Sequence, residues 1–172
     1  MKKILQILGL LLIFPIIVLA DGVENYYINA TIEQDGSLLV EEYFTITGYY
    51  NGYERIIDYK NLRATPFNIN ASSYGGSTLH NGSGLEILKI GGADHYFNGN
   101  FSNLNVDAFN YDSGAEKGDY GVYDYDTTST GKDIMIYNPS KKNKSFYLKY
   151  RLNNMAILFN DVGELGWNVI GN

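Results

Sequence analysis

Short runs in which apolar and polar residues alternate constrain this chain most. In residues 26–32 the side chains of Tyr26, Ile28 and Ile32 fall on one face of an extended segment, and polar residues fill most of the other. A period of two residues indicates a half-buried β-strand. No window shows the sustained 3.6-residue apolar period of an amphipathic helix. The chain is therefore predicted to be all-β.

A hairpin opens the predicted sheet. Asp35-Gly36 is a turn signal, and Leu38, Val40, Phe44 and Ile46 continue the alternation on the return strand. Further strands are predicted at residues 55–59, 85–90, 121–125, 133–137, 146–152, 156–159 and 167–170, and surface loops at 72–84 and 91–103. This many short strands favour an antiparallel two-sheet β-sandwich, immunoglobulin-like in character, over a closed barrel.

The first twenty residues have the composition of a secretory signal. Lys2 and Lys3 precede an apolar run, and Val18-Leu19-Ala20 supplies small residues before Asp21. Pro15 near the end of the run favours a cleaved signal over the alternative of an uncleaved anchor. We expect a signal peptide at 1–20 and an exported extracytoplasmic domain at 21–172, at the extracellular face of the membrane or the cell surface.

Composition argues against several functional classes. The chain contains no cysteine, which rules out disulfides, thiolate ligands and a cysteine nucleophile. Its net charge of −6 disfavours nucleic acid as a partner, because phosphate neutralisation needs clustered Lys and Arg. The two histidines, His80 and His95, lie in loop-like sequence without a strand-fixed Ser or Asp partner in view. We predict that the chain is not an enzyme; a hydrolase using acidic residues is a distant alternative.

One segment of the chain is unusually acidic. Six carboxylates fall within residues 107–126, and four of them, Asp112, Asp119, Asp124 and Asp126, are the candidate ligands for calcium. Calcium binds several hard oxygen ligands at once, although the spacing here is not that of an EF-hand. The alternative is a solvated acidic loop. No other cofactor is predicted.

Two tyrosine-rich segments, residues 49–53 and 120–125, suggest either of two roles. Exposed rings could stack on sugars, with Asn and Asp binding hydroxyl groups. Alternating tyrosines also cover a sheet with their rings while the hydroxyls stay wet. The first reading makes a calcium-dependent carbohydrate-binding module the alternative function.

The C-terminal segment resembles a known family. Residues 145–152, SFYLKYRL, alternate as a strand, an apolar run follows, and Asp161-Val-Gly-Glu-Leu-Gly-Trp167 comes next. Together with IEQDGSLLVEE at 32–42 and NGYERI at 51–56, this order resembles the YciQ-like family of bacterial predicted membrane proteins, domain of unknown function 2207. The resemblance implies an exported β-rich domain followed by transmembrane helices. The chain stops at Asn172, where that family continues, so we expect a C-terminal truncation.

The resembling segments contain five charged residues of interest, namely Glu42, Arg55, Arg151, Asp161 and Glu164. Glu42 falls on the dry face of the hairpin, and an unpaired buried carboxylate is costly. It therefore needs a cation, Arg55 or Arg151, unless a β-bulge turns it outward. We predict a structural network. Trp167 is expected to anchor the final strand in the core; a surface ring that stacks on a ligand is the alternative.

These observations predict a non-enzymatic recognition or assembly module at the cell surface. Its partner is an unidentified cell-surface protein or glycan. Membrane association is expected through the parent protein's missing C-terminal helices or through an uncleaved signal.

Overall fold

The computed structural model describes residues 22–60, 82–142, 144–158, 163–167 and 169. Within these ranges the chain is all-β, as predicted, with one short 3-10 helix at Phe101–Asn103. The strands are β1 (Gly22–Ile32), β2 (Leu38–Thr47), β3 (Gly52–Asp58), β4 (Gly84–Ala93), β5 (Val106–Ala108), β6 (Asn110–Tyr111), β7 (Val122–Thr127), β8 (Gly131–Tyr137), β9 (Ser145–Asn153), β10 (Ile157–Leu158) and β11 (Gly163–Glu164). The predicted signal at 1–20 lies outside the described residues.

The first sheet has the strand order β1-β2-β9-β4-β5, and every neighbouring pair is antiparallel. The predicted hairpin forms its edge, because β1 pairs with β2 from Gly22 opposite Thr47 to Ile32 opposite Leu38. The turn between them contains Gly36 at φ 81°, a backbone angle that glycine adopts without strain. Strand β9 is central, although it comes late in the sequence.

The second sheet has the order β3-β8-β7-β6, in which only the short β6–β7 pairing is parallel. Buried residues of both sheets join in one hydrophobic core: Val40, Phe44, Phe146, Leu148 and Leu152 from the first, and Ile57, Ile134 and Ile136 from the second. The two sheets therefore face each other, which is consistent with the predicted sandwich. An immunoglobulin-like topology is not confirmed by this strand order.

Part of the outer face of the first sheet is also covered, whereas the sequence predicted that only one face of the hairpin is buried. Tyr43 points away from the core but is 1% exposed, because Phe97 packs on its ring at a centroid distance of 4.5 Å. The Tyr43 hydroxyl donates to the carbonyl oxygens of Asp94 and His95, both at 2.9 Å. These contacts hold the segment 94–104 against the outer face.

Several predicted boundaries differ from the structure. Residues 91–93, predicted to begin a loop, extend β4, because they pair with both β9 and β5. The strand predicted at 167–170 is wrong at its described residues, since Trp167 has no regular structure and Val169 lies in a bend. The last described pairing lies earlier, where β10, within the strand predicted at 156–159, pairs with β11. The loop predicted at 72–84 lies mostly outside the described residues.

Candidate functional site: a buried carboxylate network

Glu42 lies at the centre of the interface between the two sheets. It stands opposite Ile28 of β1 and Leu148 of β9, and its side chain is 0% exposed. The alternation along β2 sets this orientation, because Leu38, Val40, Phe44 and Ile46 share the same face. A register shift does occur in the hairpin, but it lies at Val23–Asn25 of β1. Glu42 therefore points inward, and no bulge turns it outward.

Arg55 of β3 supplies the cation that the buried carboxylate requires. Its Nε donates to Glu42 Oε2 at 3.0 Å, and its Nη2 donates to Oε1 at 2.8 Å. Parallel donation of this kind is the strongest geometry for an arginine–carboxylate pair. Because β3 belongs to the second sheet, the pair joins the two layers. Arg55 is 7% exposed, so the pair is shielded from water.

Two tyrosines complete the acceptor sites of the carboxylate. The hydroxyl of Tyr26 on β1 donates to Glu42 Oε2 at 2.5 Å. The hydroxyl of Tyr150 on β9 donates to Glu42 Oε1. A carboxylate has about four lone-pair positions, and four donors occupy them here. We call Glu42, Arg55, Tyr26 and Tyr150 the Glu42 network.

The guanidinium of Arg55 is also satisfied on its other side. Its Nη1 donates to the carbonyl oxygen of Ile56, and its Nη2 donates to that of Val169, each at 2.7 Å. The second contact ties the C-terminal segment to the network. Five separate stretches of the chain thus meet around one charge pair.

The electrostatics of the network favour neutral tyrosines and a charged arginine. Burial, with the charge of Glu42 added, raises the pKa of both Tyr26 and Tyr150 above the usual tyrosine range. Burial alone would lower the pKa of Arg55, but the hydrogen bonds and charge of Glu42 outweigh it and raise that pKa. At neutral pH Arg55 is consequently charged, and the two tyrosines are protonated and act as donors.

The geometry limits what Glu42 can do chemically. A general base must offer a lone pair to the proton that it removes, and all such positions on Glu42 are occupied by protein donors. The network can stabilise the sheet-to-sheet interface, because each buried polar group has its partners. Glu42 and Arg55 therefore form a buried ion pair in which the carboxylate has no free acceptor position.

The other residues of the predicted network lie apart from Glu42. Arg151 is on the outer face of β9, where its Nε donates to Glu33 at 2.7 Å and its Nη1 to Glu86 at 3.3 Å. Glu164 is exposed in β11. Trp167 packs against the core and its Nε1 donates to the carbonyl oxygen of Asp58 at 2.7 Å, so the core position fits better than a free surface ring. Asp161 lies outside the described residues.

The candidate calcium ligands are engaged locally. Asp112 accepts from the backbone of Gly114 at 2.9 Å, Asp119 from that of Glu116 at 2.7 Å, and Asp124 from that of Tyr125 at 2.7 Å. Asp126 is exposed. In the part of the chain that the structure describes, no three carboxylate or imidazole side chains gather as ligands of one ion. The calcium hypothesis gains no support from these positions.

His95 has a neighbour that the sequence did not suggest. The hydroxyl of Ser145, at the start of β9, lies 3.5 Å from His95 Nδ1 and 2.9 Å from the hydroxyl of Thr45. The first distance is at the limit of a hydrogen bond. Ser145 is buried beneath the segment 94–104, so these groups support that segment against the sheet.

Sequence reasoning missed Tyr26 and Tyr150 as members of the network. A usable signal exists for Tyr26, because the alternation in residues 26–32 puts it on the same face as Ile28, which pairs with Glu42. Tyr150 pairs with Val40, which is the residue before Glu42 on the core-facing side of β2. Finding it requires the neighbour relationship of β2 and β9, which alternation alone does not provide.

The fold and the network together define an all-β domain in which two sheets close over a buried ion pair. The chain belongs to the family described as predicted membrane protein (DUF2207) N-terminal domain, whose model matches residues 22–172. This match confirms the family resemblance seen in the sequence but not the YciQ label. Neither the curated proteins nor the solved structures compared with the chain gave a match. Among the described residues, no helix has the length and apolar character needed to cross a membrane.

Proposed function

We propose that the chain is a non-enzymatic recognition or assembly module, exported to the outer face of the membrane, that binds a protein partner by strand addition at β1. The observation that carries this proposal is the exposed outer edge of β1. Family membership supports a membrane context. The saturated Glu42 network supports a structural use of the interior, since its carboxylate has no acceptor position left for a substrate.

Strand β1 has the properties of a docking edge. It is 11 residues long and stands last in its sheet, and no strand of the described ranges pairs with its outer side. Most of its side chains are exposed, including Ile32 at 56%. Residues 25–32, NYYINATI, contain no charge, proline or glycine. Edges of this kind are prone to pair with another strand unless they are blocked, and strand addition is a general mode of peptide recognition.

Charges at its two ends indicate what the edge would accept. Glu24 precedes the uncharged segment and Glu33 follows it. Glu33 and Glu86 share Arg151, so this end keeps an excess of negative charge. A second copy added antiparallel across the centre of the segment would set Glu24 against Glu33. The edge therefore suits an extended partner segment that is uncharged in its middle and carries Lys or Arg at both ends.

A pair of synthetic peptides tests strand addition directly. Each has eight alternating Thr and Val residues, flanked by Lys in one peptide and by Glu in the other. We expect the Lys-flanked peptide to bind the full chain and slow hydrogen exchange at the β1 amides that point away from β2, because those amides gain partners. The Glu-flanked peptide should bind at least about tenfold more weakly, which corresponds to about 1.4 kcal/mol of charge preference.

Two exposed isoleucines provide matched variants for this experiment. Ile32→Lys alters β1, and Ile56→Lys alters edge strand β3 of the other sheet at a comparable exposure of 50%. We expect the first variant to weaken peptide binding and the second to leave it unchanged. Equal binding of the two peptides, or an equal effect of the two variants, would contradict the proposed docking edge.

The proposed location can be tested separately, because the chain contains no cysteine. Ser129 is exposed in the turn between β7 and β8, so Ser129→Cys provides one reactive thiol. A membrane-impermeant maleimide should label this variant in intact cells to the same extent as in lysed cells. Labelling that appears only after lysis would contradict export.

A further inference from the structure

The sandwich is open along one margin, where a groove with a volume of about 380 Å³ lies between β4 and β7. It forms because β5 pairs only with Gly91–Ala93, so the earlier part of β4, which pairs with β9 on one side, has no neighbour on its other side among the described strands. The lining residues are Leu85, Glu86, Ile87, Tyr111, Tyr123, Tyr125 and Lys132, and we call this set the tyrosine groove. Its volume falls within the range of small-molecule sites, about 300–1,000 Å³.

The register of the second sheet brings the three tyrosines together. Tyr123 stands opposite Ile136 and Tyr125 opposite Ile134, so both rings project toward the core from β7. Tyr111 pairs with Tyr123 from β6. The ring of Tyr111 lies 5.7 Å from that of Tyr123 and 5.2 Å from that of Tyr125. Tyr111 remains 51% exposed, so a continuous aromatic surface is open to ligands.

The charged groups of the groove are already paired with protein groups. Lys132 Nζ lies 3.6 Å from the ring centroid of Tyr125 and 3.3 Å from the hydroxyl of Thr127. Glu86 binds Arg151. Within the lining itself, one cation and one anion offset each other. The other lining residues are the three tyrosines and the aliphatic Leu85 and Ile87.

We propose that the tyrosine groove binds a pyranose ring of a neutral glycan. A pyranose has an apolar face of C–H groups, which stacks on aromatic rings, and hydroxyl groups around its edge, which need polar partners. The lining offers three tyrosine rings for the first and the tyrosine hydroxyls, Glu86 and Lys132 for the second. This site is distinct from β1 and its residues are different, so the glycan proposal and the strand-addition proposal can fail independently.

Calorimetric titration of the full chain tests the proposal with three probes: the β-1,4-linked hexasaccharides of glucose and of N-acetylglucosamine, and a decaproline peptide. At least one hexasaccharide should bind with a dissociation constant of millimolar or below. Tyr111→Ala should weaken that binding about tenfold, because it removes one stacking surface. Tyr111→Phe keeps the ring and should stay within about threefold of the unaltered chain.

Tyr96→Ala is the matched control, since Tyr96 is a highly exposed tyrosine outside the groove. It should bind the hexasaccharide as the unaltered chain does. The half-exposed position of Tyr111 makes its substitution compatible with folding, and a cooperative melting transition of Tyr111→Ala checks this. Absence of binding to both hexasaccharides, binding that Tyr111→Ala leaves intact, or preferential binding of decaproline would overturn the proposal.

Discussion

Replacement of Glu42 by glutamine tests whether the Glu42 network stabilises the fold. The substitution keeps the size of the side chain but replaces one acceptor oxygen with an NH₂ donor. Two of the four donors around the carboxylate then meet another donor. A tyrosine hydroxyl can rotate and accept instead, but the guanidinium of Arg55 has no acceptor. Arg55 would consequently be left as a buried cation without a counter-charge.

The expected magnitude follows from burial. Glu42 is 0% exposed and Arg55 is 7% exposed, and breaking such a buried pair from one side costs about 3–5 kcal/mol. For a domain of this size, each kcal/mol lowers the melting temperature by about 2–4 °C. Glu42→Gln should therefore melt roughly 6–20 °C below the unaltered chain.

Glu33→Gln provides the matched control. Glu33 also binds an arginine through Nε and Nη2, at 2.7 and 3.3 Å, but that pair is partly exposed. Exposed pairs contribute about 0.2–1 kcal/mol, so this variant should melt within about 4 °C of the unaltered chain. Both variants are compared by thermal and urea unfolding of the full chain at neutral pH.

A second substitution separates the buried charge from a loss of packing. Adding Arg55→Met to Glu42→Gln removes the uncompensated cation, so the double variant should be more stable than the sum of the two single effects predicts. Two results would refute a stabilising Glu42 network. One is an equal melting temperature for Glu42→Gln and Glu33→Gln; the other is strict additivity of the effects of Glu42→Gln and Arg55→Met on the free energy of unfolding.

Three further outcomes are expected in unfolding experiments. Tyr150→Phe removes one donor to the buried charge and should lower the free energy of unfolding by about 1.5–3 kcal/mol, measured in urea. Because Tyr26 and Tyr150 have raised pKa values in the fold, the unfolded chain loses their protons first. Their contribution to the free energy of unfolding should be complete below about pH 10 and should fall by about 1.4 kcal/mol per tyrosine per pH unit above it. Tyr150→Phe should make this pH dependence shallower, because one of the two tyrosines is gone. Gly131→Ala would place a Cβ 2.0 Å from the carbonyl oxygen of Ile57 and should cost about 1–3 kcal/mol, whereas Gly114→Ala, with its nearest contact at 3.5 Å, should be nearly neutral in the same thermal melts.

The sequence predicted the hairpin and the inward direction of Glu42 because both depend on local rules. A two-residue period fixes which face each residue of β2 takes, and Asp35-Gly36 sets the turn. The choice between Arg55 and Arg151 could not be made in the same way. It depends on which strands face each other across the two sheets, and Arg55 reaches Glu42 from the opposite layer.

The C-terminal segment was predicted less well for a related reason. Trp167 and Val169 are apolar and suggest a strand, but in the structure each makes a hydrogen bond to a distant part of the chain: Trp167 Nε1 donates to the carbonyl oxygen of Asp58, and the carbonyl oxygen of Val169 accepts from Arg55. For Tyr123 and Tyr125, too, the sequence pattern gives the local orientation but not the neighbours in space. Their alternation gives the face of β7 on which they lie, but the opening beside them results from the short length of β5.

The spread of the Glu42 network along the sequence has a consequence for folding kinetics. Glu42 and Tyr150 are 108 residues apart, and Arg55 and Val169 are 114 apart. At synthesis rates of about 5–20 residues per second, roughly 5–20 s separate the emergence of Glu42 from that of Tyr150. During this interval Glu42 lacks one of its donors, the hydroxyl of Tyr150, and β2 lacks its neighbour β9. Chains with such distant pairings fold slowly, so we expect native structure to appear only after β9 has emerged, with the nascent β1–β2 hairpin dependent on water or a chaperone until then.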